Sequence, residues 1–241
     1  MDELRLSFGR VAALFDRVRP SYLQESLDRA QQVLELKDSA EVLDLAAGTG
    51  RLTHDLAGRF ARVIAVEPDD AMRALIADGE VLAGTAEAIP LDDASVDAVF
   101  VGEAFHWFDA ERAVPEIARV LRPRGGLARL SNQWWETDPP LPERALELLR
   151  EPYVASGRAA SVETWRDAFA RSAFDPLRDE TFASELTVDG ETLLSLYQTT
   201  SSIAALPEAE RAALAAELRA LLDGPYVLPV RVELTWTRLR R

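Results

Sequence analysis

The residues most suited to chemistry are a glycine-containing turn and two carboxylates near it. Gly48 and Gly50 follow the apolar run of residues 41–45 and precede a stretch with helical periodicity, where backbone N–H groups can approach a ligand closely. Glu67 ends a second apolar run, 23 residues beyond Asp44. An acidic side chain about 20 residues past such a turn is suited to hydrogen-bond both hydroxyls of a ribose. The spacing predicts a site for a cofactor that contains adenosine.

The residues after the turn discriminate between such cofactors. The dinucleotide fingerprint G-x-G-x-x-G needs a third glycine, but Gly50 is followed by RLT (51–53). The sequence also has no G-K-[ST] segment for a nucleoside triphosphate. Asp44 would repel a pyrophosphate, whereas its carboxylate can help to hold a cationic amino-acid group. The turn therefore favours S-adenosyl-L-methionine over NAD.

The composition argues against several partners and chemistries. With 27 basic and 41 acidic residues, the formal net charge is −14, which disfavours nucleic acid and anionic membrane surfaces because lysine and arginine bind both. The chain has no cysteine, so disulfides, cysteine-ligated zinc and thiol nucleophiles are excluded. The N-terminal residues lack the apolar region of a signal peptide, and no uncharged apolar run is long enough to span a membrane. We expect a cytoplasmic protein without a membrane span.

No metal site is predicted. The two histidines, His54 and His106, lie far apart in the sequence, which is not a recognised ligand spacing. Carboxylates alone could hold magnesium, and the pairs Asp69-Asp70 and Asp92-Asp93 are adjacent. Acidic residues are also common at helix starts and in turns, and we interpret both pairs in that way.

Short apolar runs alternate with helical periodicity from Glu41 onward. This pattern predicts βαβ units around a buried parallel sheet, and so a doubly wound α/β core. The chain before the first strand is interpreted as two helices that break at Arg19-Pro20, and residues 189–222 as helix interrupted at Pro207. We expect a single domain with a helical cap (1–36), a cofactor-binding core (40–135), the end of the core (136–188), a helical cap insertion (189–223) and a last strand (226–241).

Several segments together resemble the class I S-adenosylmethionine-dependent methyltransferases. The resemblance is to the small-molecule branch with a methyltransferase type 11 domain, similar to the ubiquinone/menaquinone-type and trans-aconitate-type enzymes. It covers roughly residues 8 to 135, and shorter matches lie at FDRVRPSY (15–22) and LPVRVELTWTRLRR (228–241). The segments that resemble family motifs are VLDLAAGTGRLT (42–53), VEP (66–68), GTAEAIPLDDASVDAVFVGEAFHWFD (84–109) and RVLRPRGGL (119–127).

The resemblance implies a fold and a reaction. The fold would be a Rossmann-like seven-stranded sheet, mostly parallel with an antiparallel last strand, and a helical cap whose closing excludes water. The reaction would move the methyl group of S-adenosyl-L-methionine to an oxygen, nitrogen or carbon of a small-molecule acceptor. Because the cofactor is already activated, the protein would chiefly supply proximity, alignment and exclusion of water.

The resemblance also implies a set of cofactor-binding residues. Gly48 and Gly50 would back the methionine part, Glu67 would bind the ribose hydroxyls, and Ala86 with Glu87 would frame the adenine. Residues 103–107 would line the reaction chamber, and Arg19 would reach the cofactor carboxylate if the N-terminal helices close over it. The full set is Arg19, Asp44, Ala46, Gly48, Thr49, Gly50, Glu67, Pro68, Met72, Ala86, Glu87, Glu103, Phe105 and Trp107.

Three positions depart from the family pattern. Ala46 replaces the first glycine of the turn, NQWW (132–135) stands where relatives tend to have Asn-x-Arg-Asp, and Thr200 occupies a position that is often basic. The last two changes remove charge from the acceptor side. They favour an aromatic or neutral acceptor over a small polycarboxylate.

The role of His106 stays open between two interpretations. An imidazole has a suitable pKa to take a proton from the acceptor, or it could be a polar residue packed under aromatic neighbours. His54 is interpreted as solvated. The neighbouring aromatic side chains could be core or pocket walls. We expect pocket walls at Trp107 and Trp134 and core at Trp165 and Trp236; Phe105, Phe108 and Trp135 stay undecided.

Two other function classes remain open. A non-catalytic binding or regulatory protein of the same fold would bind S-adenosylmethionine without turnover, and an NAD-dependent oxidoreductase would need the third glycine that is missing. The alanine-rich helix of residues 208–222 would close a lid or form a homodimer face.

Overall fold

The computed structural model describes residues 8–133, 141–155 and 165–240, and its sheet has seven strands in the order β3-β2-β1-β4-β5-β7-β6. The pairs β1–β2, β1–β4, β2–β3 and β4–β5 are parallel, and the last strand is antiparallel. The predicted fold class, a Rossmann-like seven-stranded α/β sheet, is confirmed. The strands are β1 (Glu41–Leu45), β2 (Arg62–Val66), β3 (Glu80–Leu82), β4 (Val96–Gly102), β5 (Leu121–Gln133), β6 (Arg178–Val188) and β7 (Tyr226–Arg238).

Helices connect and follow these strands. No described helix is long and apolar enough to cross a membrane. Short 3₁₀-helices lie at Phe8–Val11 and Phe105–Trp107. The α-helices are α1 (Ala12–Val18), α2 (Gln24–Val33), α3 (Arg51–Ala57), α4 (Asp70–Arg73), α5 (Ala110–Val120), α6 (Glu143–Ala155), α7 (Trp165–Ala170), α8 (Gly190–Gln198), α9 (Ser201–Ala204) and α10 (Glu208–Leu221).

The strand order places a ligand crevice between β1 and β4. Asp44 on β1 is in register with Ala65 on β2 and with Phe100 on β4. The chain runs outward from β1 through β2 to β3 and then returns to the other side of β1 at β4. In open α/β sheets, ligands bind at such a reversal, outside the carboxyl ends of the strands.

The chain divides into two units with mostly internal contacts, and the sheet unit comprises residues 21–132, 163–182 and 232–241. One of its apolar clusters surrounds Phe105, and another surrounds Phe100. Helix α2 belongs to this second cluster through Leu27, Ala30 and Leu34. Within the predicted cap of residues 1–36, the apolar face of α2 therefore packs on the sheet.

The helical unit comprises the described residues within 1–20, 133–162 and 183–231. The predicted interruption at Pro207 separates α9 from α10. A second break, which the sequence did not predict, occurs at Thr199 and Thr200. Their hydroxyls donate to the carbonyl oxygens of Leu196, at 2.6 Å, and Tyr197, at 2.7 Å. Side-chain hydrogen bonds of this kind compete with helical ones, which accounts for the end of α8.

Candidate functional site

The glycine turn joins β1 to α3 in a left-handed backbone conformation. Ala46, Gly48 and Gly50 have φ values of 59°, 60° and 85°. A Cβ atom added to Gly50 would lie 2.8 Å from Cγ2 of Ile76, so both the backbone angle and the close approach require glycine there. Ala46 also has a left-handed φ although it carries a side chain, so its backbone is strained. Residues strained in this way cluster at functional sites.

Glu67 lies directly beyond β2, and both of its carboxylate oxygens are held by backbone N–H groups. Gly48 donates to Oε2 at 2.9 Å and Asp69 donates to Oε1 at 2.9 Å. The side chain is 93% buried, since its residue is only 7% exposed, and this burial raises the pKa of Glu67. Arg73 donates to the carbonyl oxygen of Glu67 at 2.9 Å. The carboxylate is therefore fixed beside the glycine turn, as the 23-residue spacing suggested.

Asp44 lies on β1 and is 1% exposed. Thr53 on α3 donates its hydroxyl to Oδ2 at 2.6 Å, whereas Oδ1 has no hydrogen-bond partner among the described residues. Burial, with a smaller contribution from the nearby Glu67 carboxylate, raises the pKa of Asp44 to about 7. The hydroxyl of Thr49 is likewise buried without a partner in the described part of the chain. Two polar atoms at the turn thus have no hydrogen-bond partner within the part of the chain that the structure describes.

Helix α4 places the next predicted residues beside the turn. Asp69 caps the helix by accepting hydrogen bonds from the N–H groups of Ala71 and Met72, both at 2.9 Å, so its interpretation as a helix-entry residue is confirmed. The Met72 Cε atom would lie 3.7 Å from a Cβ atom on Gly48. Pro68 is exposed and lies between Glu67 and this cap. Turn, Glu67 and α4 form one continuous set of contacts.

Ala86 and Glu87 lie in the segment between β3 and β4. Ala86 is buried in the apolar cluster around Phe105. Glu87 accepts a hydrogen bond at Oε1 from the N–H group of Asp109, at 2.9 Å. This bond connects the segment to the start of α5, and it fixes one oxygen of the Glu87 carboxylate.

The carboxyl end of β4 holds the remaining predicted residues of the sheet unit. Glu103 has a φ of 58°, and its carboxylate accepts a hydrogen bond from the N–H group of Asn132 at the end of β5. Phe105 is completely buried, and its ring centroid lies 4.8 Å from that of Trp165. That ring has no accessible surface for a cofactor, because it packs in the core with the predicted core residue Trp165.

His106 and Trp107 are both half-buried. Their ring centroids are 4.8 Å apart, and Trp107 also packs against the core cluster around Phe105. His54 is 77% exposed in its side chain and pairs with Asp78 at 2.7 Å. This contact raises the pKa of His54, and the interpretation of His54 as solvated is confirmed.

Arg19 belongs to the helical unit. It donates from Nε to the hydroxyl of Thr199 at 2.9 Å and from the guanidinium to the Thr199 carbonyl oxygen at 3.0 Å. Its guanidinium carbon also lies 4.8 Å from the centroid of the Phe15 ring. The contact of Arg19 with a cofactor carboxylate stays a prediction. Trp134 and Trp135 lie outside the described residues.

Two residues at the site escaped prediction from the sequence. In the sequence, Thr53 stands where the dinucleotide fingerprint would have its third glycine. In the structure, it lies on the first turn of α3, and its hydroxyl donates a hydrogen bond to Asp44. In the sequence, Asn132 stands out only as the first residue of NQWW (132–135), which departs from the family pattern after it. In the structure, its carboxamide Oδ1 is buried without a partner among the described residues. In the described ranges, no group of three or more histidines, cysteines or carboxylates is placed to hold a metal ion.

Comparison with known proteins identifies relatives along most of the chain. Residues 43–128 match the family model described as a methyltransferase domain. An uncharacterized methyltransferase of Mycobacterium tuberculosis is 47% identical over 134 residues, which make up 54% of this chain and 54% of the relative. At this level of identity the chain spans about half the length of the curated relatives that it matches.

Two further relatives align over a greater share of the chain. An uncharacterized methyltransferase of Schizosaccharomyces pombe is 32% identical over 217 residues, which are 88% of this chain and 85% of the relative. A malonyl-[acyl-carrier protein] O-methyltransferase of Methylococcus capsulatus is 33% identical over 205 residues, or 80% of this chain and 70% of the relative.

Solved structures share the fold. A protein of Anaeromyxobacter dehalogenans, described as a candidate type II methyltransferase, matches with a TM-score of 0.64 at 22% identity, over 91% of this chain and 97% of its own. A phosphoethanolamine N-methyltransferase of Haemonchus contortus, solved with S-adenosylhomocysteine, matches with a TM-score of 0.57 at 16% identity, over 98% of this chain and 57% of its own.

Proposed function

Because this chain belongs to the class I S-adenosylmethionine-dependent methyltransferases, we propose that it moves the methyl group of S-adenosylmethionine to a small-molecule acceptor. The observation that carries the proposal is the position of Glu67. Its carboxylate lies beyond β2, and the Gly48 N–H group holds it against the glycine turn at 2.9 Å. A carboxylate has about four acceptor sites, so lone pairs remain for the two hydroxyls of a ribose.

The polar atoms of the turn fit the methionine end of this cofactor. Asp44 Oδ1 and the Thr49 hydroxyl are buried without partners among the described residues, and a buried unpaired acceptor is costly. A cationic amino group supplies the hydrogen bonds and the charge that Asp44 lacks. A pyrophosphate would instead face two buried carboxylates, Asp44 and Glu67, and this favours S-adenosylmethionine over NAD.

The cofactor supplies an electrophilic methyl group on a positively charged sulfur, so the protein chiefly has to align the acceptor and exclude water. Glu103, His106 and Trp107 follow β4 at the carboxyl edge of the sheet, where they line the acceptor side. Where the acceptor must lose a proton, His106 takes it as a general base. The half-buried His106 ring stands against Trp107, which restricts its orientation.

The acceptor proposed here is an aromatic or neutral small molecule. The relatives named above differ in what they methylate: one is a malonyl-[acyl-carrier protein] O-methyltransferase, and another is a phosphoethanolamine N-methyltransferase. Thr200, at which the resemblance implies a basic residue in many relatives, has no charge, and its hydroxyl is engaged with the Tyr197 carbonyl oxygen at 2.7 Å. A polycarboxylate would find no cation at that residue.

The first test is calorimetric titration with S-adenosylmethionine, S-adenosylhomocysteine and NAD. We expect the first two to bind in the micromolar range, about −8 kcal/mol at 1 μM, and NAD not to bind. Glu67→Gln should weaken both by about tenfold or more, since a charge-assisted bond is lost. Glu80→Gln, at an exposed carboxylate on β3, is the matched control and should bind as the wild type does.

Binding of NAD alone, or of none of the three compounds, contradicts the proposed function. Turnover is then measured as transfer of radiolabelled methyl to a panel of aromatic, neutral and carboxylate compounds. Tight cofactor binding with no methyl transfer to any compound would favour a non-catalytic binding protein of the same fold. Turnover on carboxylates alone would contradict the proposed acceptor class.

A further inference from the structure

Another buried acceptor atom lies at the carboxyl end of β5, apart from the glycine turn. Asn132 is 6% exposed, and its Oδ1 has no hydrogen-bond partner among the described residues. Two other polar atoms of Asn132 are engaged. Its N–H group donates to the Glu103 carboxylate, and its Nδ2 lies 3.5 Å from the carbonyl oxygen of Ser21. Since buried polar atoms are nearly always hydrogen-bonded, this oxygen points to a partner that the fold does not supply.

The sheet register places Asn132 away from the glycine turn. Asp44 is in register with Phe100 on β4, and Phe100 with Ala128 on β5. Asn132 comes four residues after Ala128, at a rise of about 3.3 Å per residue. It therefore lies two strands from β1 and well beyond Asp44 towards the carboxyl edge, where an acceptor enters in the proposed function.

The Glu103 carboxylate adds a negative charge near Asn132. Its φ of 58° is unusual for a residue other than glycine, and two hydrogen bonds maintain it. The Glu103 N–H group donates to the Leu130 carbonyl oxygen at 3.0 Å, and the carboxylate accepts the Asn132 N–H group. The carboxylate bound to the Asn132 N–H group and the carboxamide oxygen of the same residue both accept hydrogen bonds. Such a pair attracts N–H or O–H donors, and it repels a carboxylate.

We propose that Oδ1 of Asn132 accepts a hydrogen bond from the methyl acceptor, so that the acceptor is a hydroxyl or amine compound and not a carboxylate. This proposal rests on the proposed methyltransferase function and names its substrate class. Asn132 is a specificity-determining residue, because an amide oxygen binds a donor but does not remove its proton. The preference is opposite to that of the relative named for malonyl O-methylation.

The experiment compares acceptors that differ in their donor groups. Catechol and 2-phenylethylamine carry O–H and N–H donors, whereas benzoate and monomethyl malonate carry carboxylates; methyl transfer from S-adenosylmethionine is measured at pH 8.5. Wild-type protein should methylate at least one donor and neither carboxylate. Asn132→Leu should raise the KM for that donor about tenfold, the effect of one lost hydrogen bond, with an unchanged Kd for S-adenosylhomocysteine.

Two variants serve as controls. Asn132→Asp keeps an oxygen at the same place and should hold the KM for 2-phenylethylamine within about threefold of wild type, since the hydrogen bond is retained. Ser95→Ala removes another buried hydroxyl without a partner among the described residues, directly before β4 and so at the opposite edge of the sheet. It should leave both KM and Kd unchanged.

The outcomes separate this proposal from the proposed function. Failure to bind S-adenosylmethionine overturns the function itself. A protein that binds the cofactor and methylates a carboxylate but neither donor overturns the assignment to Asn132, whereas methyl transfer to none of the compounds counts against the proposed function itself. An unchanged KM in Asn132→Leu also overturns the assignment to Asn132. It would mean that a bound water, and not the methyl acceptor, is the partner of Oδ1 in the wild-type protein. Should Asn132→Leu lose S-adenosylhomocysteine binding through misfolding, Asn132→Ala provides the KM comparison.

Discussion

At the scale of single residues, burial of the Asp44 carboxylate lowers the stability of the folded protein. We propose that the same carboxylate strengthens the binding of S-adenosylmethionine. Its pKa of about 7 in the folded protein lies above its ordinary value of 3.8 because the carboxyl is buried. The folded state therefore binds a proton more tightly than the unfolded state does. Stability contributed by the protonated form is present below pH 4 and is lost as the pH rises to about 7.

Asp44→Asn should separate these two effects. The variant cannot ionise, so its free energy of unfolding without cofactor should exceed that of wild type at pH 8, by ~1–4 kcal/mol, and the difference should shrink towards pH 4. Its affinity for S-adenosylmethionine should fall at pH 8, because the carboxylate no longer faces the cationic amino group. Urea denaturation and calorimetry at both pH values measure the two quantities. Equal stability of both proteins at pH 8 would contradict the buried charge.

Thr53→Val tests how Asp44 is held. The Thr53 hydroxyl donates to Oδ2 at 2.6 Å, and this bond lowers the pKa of Asp44 against the larger effect of burial. Valine keeps the shape but removes the donor, so the pKa should rise further. The pH at which S-adenosylmethionine binding reaches half its maximum affinity should move upward by about one unit. A weaker affinity with an unmoved pH profile would mean that Thr53 acts by packing alone.

At the scale of elements, the turn between β1 and α3 depends on Gly50. Gly50→Ala introduces a Cβ atom 2.8 Å from Ile76 Cγ2 at a φ of 85°. We expect a loss of about 1–3 kcal/mol in the free energy of unfolding and weaker S-adenosylhomocysteine binding. Gly58→Ala is the matched control, because its nearest neighbour would be 3.8 Å away and its φ is −75°. It should be neutral or slightly stabilising.

A double variant divides the cost at Gly50 into two parts. Ile76→Ala in the Gly50→Ala background removes the closest contact, with Cγ2, but leaves the contacts with Cα and Cβ of residue 76 at 3.2 Å and the left-handed φ. It should recover part of the stability and not all of it, apart from the separate effect of Ile76→Ala measured alone. Full recovery would mean that the backbone angle carries no cost, contrary to the steric argument for left-handed residues.

At the scale of the whole molecule, sequence spacing was sufficient for the sheet and for the first half of the site. Periodic apolar runs and the 23-residue spacing from Asp44 to Glu67 depend on local order along the chain; the runs correspond to the observed strands, and Glu67 lies beside the glycine turn. The bond from Thr53 to Asp44 and the lone Oδ1 of Asn132 depend on which side chains burial brings together. Phe105 shows the same limit, since only tertiary packing decided that its ring belongs to the core.

The two edges of the sheet differ in what they contain. Among the described residues, the carboxyl edge contains the glycine turn, the left-handed Glu103 and the unpartnered oxygens of Asp44, Thr49 and Asn132, whereas the amino edge is joined by ion pairs. Arg62 contacts Glu41 at 3.0 Å and Glu80 at 2.6 Å, and Arg122 contacts Glu41 at 3.2 Å and Asp97 at 2.9 Å. These pairs connect the starts of five neighbouring strands, β1 to β5, so they stabilise the sheet at a distance from the proposed chemistry.

This division predicts that stability and binding can be changed separately. Arg62→Leu and Arg122→Leu should each lower the free energy of unfolding by about 0.5–1 kcal/mol at low salt, a small value because the side chains are partly exposed. The difference from wild type should shrink in 0.5 M NaCl, which screens charges over a few ångströms. The Kd for S-adenosylhomocysteine should stay unchanged in both variants. A loss of cofactor affinity would show that the amino edge influences the turn through the strands.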